Sequence, residues 1–190
     1  MRDDSQFNVD HSYPGLWTIT FNNPPINMFV PATIVELTAV AADLETDSSV
    51  KAIVFESANP DFFIAHLDVS KAAEQPEVLD LWREFVLRLS FAPVVSIAKI
   101  RGRTRGIGNE FVLACDMRFA SRQNALIGNP EVGVGLIPGG GALEWLPRLV
   151  GRSRALEIVL SADDFDGDIA ERYGWVNRTL DDDELDAFVE

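Results

Sequence analysis

Three apolar segments rich in β-branched residues constrain the fold of this chain most, because segments of a different hydrophobic period separate them. They span residues 16–21, 52–55 and 94–100, and short runs of this composition are typical of buried strands. Residues 31–46 carry apolar side chains three and four positions apart, as an amphipathic helix does, and residues 78–89 repeat the pattern. This alternation predicts an α/β fold.

The same patterns predict shorter elements along the rest of the chain. Strands are expected at residues 117–120, 125–127 and 175–177, and helices at residues 143–150 and 153–161. A last helix begins near Asp181 and ends abruptly, and its Leu185 and Phe188 have no following sequence to pack against. No linker or fixed-period repeat divides the chain. We therefore expect one domain over residues 1–190, truncated at its C-terminus.

Charge and cysteine content exclude several classes of partner. The formal net charge of −14 argues against nucleic acid, whose phosphates would be repelled. The single Cys115 and the absence of a leader-like start predict a cytoplasmic protein, and no apolar run approaches the roughly 20 residues of a membrane span. Arg101, Arg103 and Arg105 form a local exception that would suit a polyanionic ligand, although solvated surface arginines give the same pattern.

A glycine-rich segment, residues 102–110, follows the third apolar segment and leads into an apolar helix at residues 111–115. Glycines at such a junction permit positive φ and leave the first helical N–H groups free to stabilise negative charge. The segment lacks the Gly-Lys-Ser/Thr of a phosphate-binding loop, which disfavours nucleotide chemistry. Glu110 is either a catalytic carboxylate or a residue that complements the helix dipole.

A second glycine-rich segment, residues 127–141, places Glu131 between Pro130 and an almost wholly apolar run. Removal of water there would raise the pKa of the carboxyl group and let it carry a proton near neutral pH. The alternative is an exposed glutamate on a surface turn, which the glycine and proline content permits.

A third segment, residues 59–68, follows the second apolar segment and ends in His66, Leu67 and Asp68. Asp68 is suited to cap a following helix. His66 has no second histidine or cysteine near it in sequence, so a structural role is favoured over a metal site. The chain also lacks the Gly-x-Ser-x-Gly elbow of serine hydrolases.

These segments together resemble the enoyl-CoA hydratase/isomerase, or crotonase, family. The resemblance rests on four ordered blocks, which are residues 22–28, 63–68, 100–110 and 130–151. They are similar to the family's Asn-Arg-Pro…Asn-Ala, Phe-x-Ala-Gly-Ala-Asp, Asn-Gly-x-x-x-Gly-Gly-Gly-x-Glu and Pro-Glu…Pro-Gly-x-Gly-Gly…Leu-Pro-Arg-x-x-Gly blocks. The resemblance implies a crotonase-like spiral of repeated ββα units, without the family's C-terminal helical part.

The resemblance also implies the chemistry. It assigns an oxyanion hole to the backbone N–H groups of Leu67 and Ile107, catalysis to the carboxylates of Glu110 and Glu131, and the positioning of a water molecule to Gly139. One carboxylate would activate water for attack on the β-carbon of a 2-trans-enoyl-CoA, and the other would deliver a proton to the α-carbon. The expected product is a 3-hydroxyacyl-CoA.

Contacts with the acyl-CoA substrate follow from the same resemblance. The residues expected to make them are Asn27, Ala65, His66, Asp68, Lys71, Arg105 and Gly106. No cofactor and no metal are expected, since CoA is part of the substrate. The family's assembly implies a homotrimer or a dimer of trimers. Three positions, His66, Leu67 and Ile107, depart from the family's small residues and are expected to reshape the acyl pocket; Ile107 further requires an ordinary negative φ.

Two other functions remain open at this point. A Δ3,Δ2-enoyl-CoA isomerase needs only one carboxylate to move a proton between two carbons. A non-catalytic acyl-CoA-binding protein is suggested by the altered residues at positions 66, 67 and 107 and by the missing C-terminal helices.

Overall fold

Strands and helices alternate along the chain in the computed structural model, which describes residues 5–190. The strands are β1 (Phe7–Tyr13), β2 (Leu16–Phe21), β3 (Ala52–Ser57), β4 (Phe62–Ile64), β5 (Val95–Ile100), β6 (Arg103–Arg105), β7 (Met117–Ser121), β8 (Leu126–Gly128), β9 (Asp164–Asp166) and β10 (Arg178–Leu180). The helices are α1 (Pro31–Thr46), α2 (Val69–Glu74), α3 (Val78–Phe91), α4 (Ile107–Ala114), α5 (Ala142–Val150), α6 (Arg152–Ser161), α7 (Gly167–Tyr173) and α8 (Leu185–Val189). A 3₁₀ helix covers Pro130–Val134.

The strands form two sheets, and from β3 to β8 successive strands belong alternately to one and the other. The larger sheet has the order β1-β2-β3-β5-β7-β10, and the smaller has the order β4-β6-β8-β9. All neighbouring strands are parallel except β1 with β2 and β8 with β9. Each of β3, β5 and β7 is followed by a short strand of the smaller sheet and then by helical turns. The predicted α/β fold of repeated ββα units is therefore present.

Helix α4 lies at the centre of the core. Its eight residues are all buried, as expected of a helix that is apolar on every side. The ring of Phe111 lies among those of Phe21, Phe29, Phe55, Phe63 and Phe85, at centroid distances of 4.8–6.4 Å. Such aromatic contacts add to the large area that each ring buries. They fix the helix, and Glu110 with it, relative to both sheets.

One prediction for the C-terminal part is wrong. The strand expected at residues 175–177 lies instead at Arg178–Leu180, because Gly174 ends α7 in the left-handed region and the side chain of Trp175 turns into the core. Leu185 and Phe188 pack against elements that precede them in the chain. Leu185 is fully buried beside strands of the larger sheet, and the ring of Phe188 lies 5.1 Å from that of Phe119.

Asn27 was expected to contact substrate, but the structure gives it another role. The residue is 2% exposed. Its Nδ2 lies within 3.4 Å of four oxygen atoms, on Phe21, Ser57, Phe62 and Phe63, so this one amide joins the ends of β2, β3 and β4. Contact of Asn27 with substrate stays a prediction, since sequence alone does not distinguish a buried amide that satisfies backbone carbonyls from one that faces a ligand.

We expect Asn27→Ala to destabilise the protein by about 3 kcal/mol, because the two N–H donors of a buried amide are lost and alanine is strained at the φ of 50° found here. Denaturant unfolding of the variant measures the loss. The matched control is Asn8→Ala on the exposed strand β1, with an expected change within about 0.5 kcal/mol. Equal stabilities of the two variants would contradict the structural role of Asn27.

Candidate active site

A cavity of about 560 Å³ opens where the ends of several ββα units meet. Most of its wall is apolar, and two carboxylates, Glu110 and Glu131, face into it. Its lining residues are Ala65, His66, Leu67, Val69, Leu79, Trp82, Arg83, Arg105, Gly106, Ile107, Glu110, Pro130, Glu131, Val134, Leu136, Ile137, Gly139 and Gly140. A largely apolar pocket with a few converging polar groups is typical of a ligand site.

Glu110 is the most deeply buried acid of this cavity, with 4% of its surface exposed. Its Oε1 accepts hydrogen bonds from the backbone N–H groups of Gly140, at 2.7 Å, and Ala142, at 3.2 Å. Burial raises the pKa of the carboxyl group from its ordinary 4.5 to about 7, against the lowering effect of these two donors, and the negative charges of Glu131 and Glu144 add to the rise. Glu110 can therefore exchange a proton near neutral pH.

Glu131 faces the same cavity from the first turn of the 3₁₀ helix. Burial raises the pKa of its carboxyl group, and hydrogen bonds from the backbone N–H of Glu131 itself and from the Asn129 side chain oppose that rise. The Asn129 Nδ2 lies 3.3 and 3.5 Å from the two carboxylate oxygens. The exposed surface glutamate considered as an alternative is thus not what the structure shows.

Two glycines allow the carboxylates to approach the backbone. A Cβ atom at position 106 would lie 3.0 Å from Oε1 of Glu131, and Gly106 has a positive φ of 54°. A Cβ atom at position 140 would collide with Glu110 Oε2 and with Trp82 Nε1. The Trp82 indole donates a 2.8 Å hydrogen bond to the carbonyl of Gly140, whose N–H donates to Glu110. Trp82 is therefore buried and also part of the cavity wall.

The backbone at Leu67 and Ile107 offers two free donors beside the carboxylates. The N–H of Phe29 donates to His66 and the carbonyl of Phe29 accepts from Asp68, so the N–H of Leu67 points away from Phe29. The N–H of Ile107 belongs to the first turn of α4 and has no partner within its helix. Neither N–H has a hydrogen-bond acceptor within residues 5–190. Ile107 has the ordinary negative φ predicted for it.

The remaining predicted site residues divide into two groups. Ala65, His66, Arg105, Gly106 and Gly139 line the cavity. His66 is exposed, and its Nδ1 lies 2.8 Å from the carbonyl oxygen of Leu67.

Asp68 and Lys71 do not line the cavity. Asp68 caps α2 as predicted, by accepting a 3.1 Å hydrogen bond from the Lys71 N–H. The Nζ of Lys71 lies 3.8 Å from the same aspartate on an exposed helix turn. Contact of either residue with CoA stays a prediction.

The three arginines at positions 101, 103 and 105 do not form one cationic site. Arg101 binds Asp182 and Asp186 near α8, and Arg103 lies over the ring of Phe62. Only Arg105 reaches the cavity, where its Nε donates a 2.7 Å hydrogen bond to Asp164. Arg101 thus pairs with two aspartates and Arg105 with a third, all of them some 60 to 85 positions away in the chain.

Sequence reasoning missed a buried polar group behind Glu131. Asn109 and Asn129 are fully buried, and a 2.6 Å hydrogen bond joins their side chains. The one available signal was an asparagine in an otherwise apolar helix, directly before Glu110. Its partner cannot be read from sequence, because the two asparagines lie on different elements.

Within residues 5–190, no helix has the length and apolar content that a membrane span requires. The same residues contain no group of three His, Cys, Asp or Glu side chains arranged to hold a metal ion.

Comparison with known proteins gives the family. The model of the enoyl-CoA hydratase/isomerase family matches residues 11–188. The chain therefore belongs to the enoyl-CoA hydratase/isomerase family. The short-chain-enoyl-CoA hydratase of Clostridium acetobutylicum is 34% identical over 173 residues, which are 88% of this chain and 66% of that protein.

One further curated relative and one solved structure are also similar to the chain. The fatty acid oxidation complex subunit alpha of Vibrio vulnificus is 32% identical over 189 residues, or 95% of this chain and 27% of that subunit. The crystal structure of a proposed enoyl-CoA hydratase from Streptomyces avermitilis superposes with a TM-score of 0.91 at 45% identity, covering 97% of this chain and 69% of that one. The predicted crotonase-like fold is confirmed. The chain spans about two thirds or less of the curated relatives' length.

We expect Glu110→Gln to gain stability relative to the parent chain as the pH rises from about 5 to about 8. The folded protein holds the Glu110 proton more tightly than the unfolded chain, so the parent loses stability between the ordinary pKa of 4.5 and the raised value of about 7. The gain in the free energy of unfolding of Glu110→Gln relative to the parent approaches about 3 kcal/mol, since a tenfold change in proton affinity corresponds to about 1.4 kcal/mol. Denaturant unfolding at both pH values measures it.

Glu157→Gln is the control, because Glu157 is an exposed residue of α6. The same measurements on this variant give the effect of a Glu→Gln substitution outside the cavity. If the stability difference between Glu110→Gln and the parent follows the pH no differently from that of the control, the Glu110 proton is not held near neutral pH.

Proposed function

We propose that the chain belongs to an enzyme that hydrates a 2-trans-enoyl-CoA to a 3-hydroxyacyl-CoA. The observation that carries this proposal is the presence of two carboxylates, Glu110 and Glu131, in one apolar cavity beside two unused backbone donors. Family membership supports the acyl-CoA thioester as the substrate class. One third or more of the length of each curated relative described above lies outside the matched region, so activity is proposed for the protein to which this chain belongs.

The N–H groups of Leu67 and Ile107 form the oxyanion hole in this proposal. Attack of water on the β-carbon moves charge onto the thioester oxygen, and both donors are already oriented when that charge develops. Removal of one such donor typically costs about 3 kcal/mol of transition-state stabilisation. The side chains at positions 67 and 107 can change without deleting these donors, because both belong to the backbone.

The two carboxylates divide the proton transfers. One carboxylate accepts a proton from water as the water oxygen bonds to the β-carbon. The other carboxyl group gives a proton to the α-carbon as the enolate collapses. The pair must therefore hold one proton between them at the working pH. Raised pKa values at both residues and the repulsion between their charges favour that singly protonated state. Gly139, at the cavity wall, is proposed to position the water through its backbone.

The acyl chain is proposed to occupy the apolar part of the cavity, between α3 and the loop at residues 134–137. Ala65, His66, Arg105 and Gly106 lie at the other part of the wall and are proposed to contact the CoA moiety, with Asp68 and Lys71 beyond them. A homotrimer or a dimer of trimers is the proposed assembly, and the family resemblance supports it.

Isomerisation of a 3-enoyl-CoA is the second candidate function. The raised pKa of Glu110, about 7, favours it, because one carboxylate that readily takes and releases a proton is sufficient to shift a double bond. Incubation with a 2-trans-enoyl-CoA and with a 3-enoyl-CoA separates the two reactions. Formation of the 3-hydroxyacyl product identifies a hydratase, and turnover of only the 3-enoyl substrate identifies an isomerase.

We expect Glu110→Gln and Glu131→Gln each to lower kcat for hydration at least about 100-fold, because each removes one proton-transfer group. Loss of the conjugated thioester absorbance measures the rate. Glu157→Gln should keep the parent rate. If neither cavity variant slows any thioester reaction while calorimetry still detects acyl-CoA binding, the protein is a non-catalytic acyl-CoA-binding protein and the proposed function is wrong.

A further inference from the structure

A continuous chain of buried hydrogen bonds runs from Trp175 to Glu131. The Trp175 Nε1 donates to Oδ1 of Asn109 at 2.9 Å, and Asn109 Nδ2 donates to Oδ1 of Asn129 at 2.6 Å. The Asn129 Nδ2 then lies 3.3 Å from Oε2 of Glu131. Trp175, Asn109 and Asn129 all have zero exposure, so water does not compete for the first two of these bonds. We call these four residues the amide relay.

The direction of the amide relay is set at Trp175. An indole nitrogen can only donate, so the atom of Asn109 that faces it must be the carbonyl oxygen. The NH₂ group of Asn109 then faces Asn129, whose side-chain carbonyl oxygen must accept the hydrogen bond. Each carboxamide has one accepting and one donating end. The NH₂ group of Asn129 is thereby left facing Glu131.

We propose that Trp175 and Asn109 are positioning residues that fix the orientation of the Asn129 amide, so that Glu131 always meets an N–H donor. A donor stabilises the ionised carboxylate over the protonated acid. Glu110 lies on the same helix as Asn109 but is held by a separate pair of backbone donors, from Gly140 and Ala142. The relay therefore acts on one carboxyl group of the pair and separates its proton affinity from that of the other.

The position of Trp175 is itself fixed by the core. Its backbone N–H donates to Ala170 at 2.8 Å, and its carbonyl accepts a 3.0 Å hydrogen bond from the Nε of buried Arg118. The Phe165 ring lies 5.9 Å away. The indole thus has one stable placement, which a positioning residue requires.

Other charged and titratable groups share the cavity with Glu131. They are Glu110, His66, Arg83 and Arg105. Both arginines are already paired, Arg83 with Asp80 and Arg105 with Asp164. Substitution of Trp175 changes none of these groups, so a change in the titration of Glu131 would report on the relay.

The test is Trp175→Phe, which keeps an aromatic ring and removes the N–H donor. Without that donor, Asn109 and Asn129 are free to reverse, and a carbonyl oxygen can then face Glu131. We expect the pKa of Glu131 to rise by about one pH unit, since a hydrogen bond to a charged group has about that effect. Carbon-13 labelling of the glutamate carboxyl groups follows the titration by NMR, and the Glu131 signal is the one that Glu131→Gln removes.

Asn109→Ala interrupts the same chain one residue closer to Glu131 and should shift the titration in the same direction. Trp17→Phe is the matched control, because it removes an indole from β2 outside the relay and should leave the Glu131 titration unchanged. If Trp175→Phe does not fold, β-(3-benzothienyl)alanine at position 175 keeps the ring shape and replaces only N–H by sulfur. An unchanged Glu131 titration in the folded variants overturns the proposal.

The catalytic meaning of the relay rests on the proposed function, and kinetics tests that part. In Trp175→Phe, one limb of the pH profile of kcat/KM should move upward by about the same amount, with KM for the enoyl-CoA little changed. A purely structural effect would lower activity without moving that limb. A shifted NMR titration in a protein that hydrates no enoyl-CoA would reject the proposed function alone. An unshifted titration in an active hydratase would reject the relay alone.

Discussion

The burial of the Glu110 carboxyl group is the constraint on which the site depends. A carboxylate inside an apolar helix is costly unless hydrogen-bond donors reach it, and the donors come from the loop before α5. That loop can approach only because residue 140 has no side chain, and the Trp82 indole of α3 holds the loop through its hydrogen bond to the Gly140 carbonyl. Helix α4, helix α3 and the loop before α5 thus meet around the Glu110 carboxyl group. Burial there raises its pKa to about 7.

The two-sheet arrangement brings together residues that are distant in sequence. Parallel strands of one sheet end at a common edge, so the loops after β4, β6 and β8 meet there. Leu67 follows β4, Ile107 follows β6 and Glu131 follows β8, and each belongs to a different ββα unit. Each ββα unit therefore supplies one functional group to the site. The aromatic core around Phe111 packs these units together.

The sequence predicted the parts of the fold and site that depend on local pattern. The spacing of apolar residues predicted the bounds of helix α1, the two glycine-rich segments located both carboxylates, and the segment at residues 59–68 located Asp68 as a cap. It failed where long-range packing decides the outcome. Asn27 is a buried bridge between strand ends, Trp175 turns inward where a strand was expected, and the partners of Arg101 and Arg105 lie far along the chain. The link between Asn109 and Asn129 likewise depends on how α4 meets the 3₁₀ helix.

Trp82 gives the cavity a spectroscopic property. Its indole is 2% exposed, forms part of the cavity wall and donates a hydrogen bond to the loop that holds Glu110. Indole fluorescence depends on the polarity and hydrogen bonding around the ring, so a ligand that displaces solvent from the cavity or moves this loop alters the emission of Trp82. The protein thus carries an intrinsic optical reporter in the wall of its own cavity.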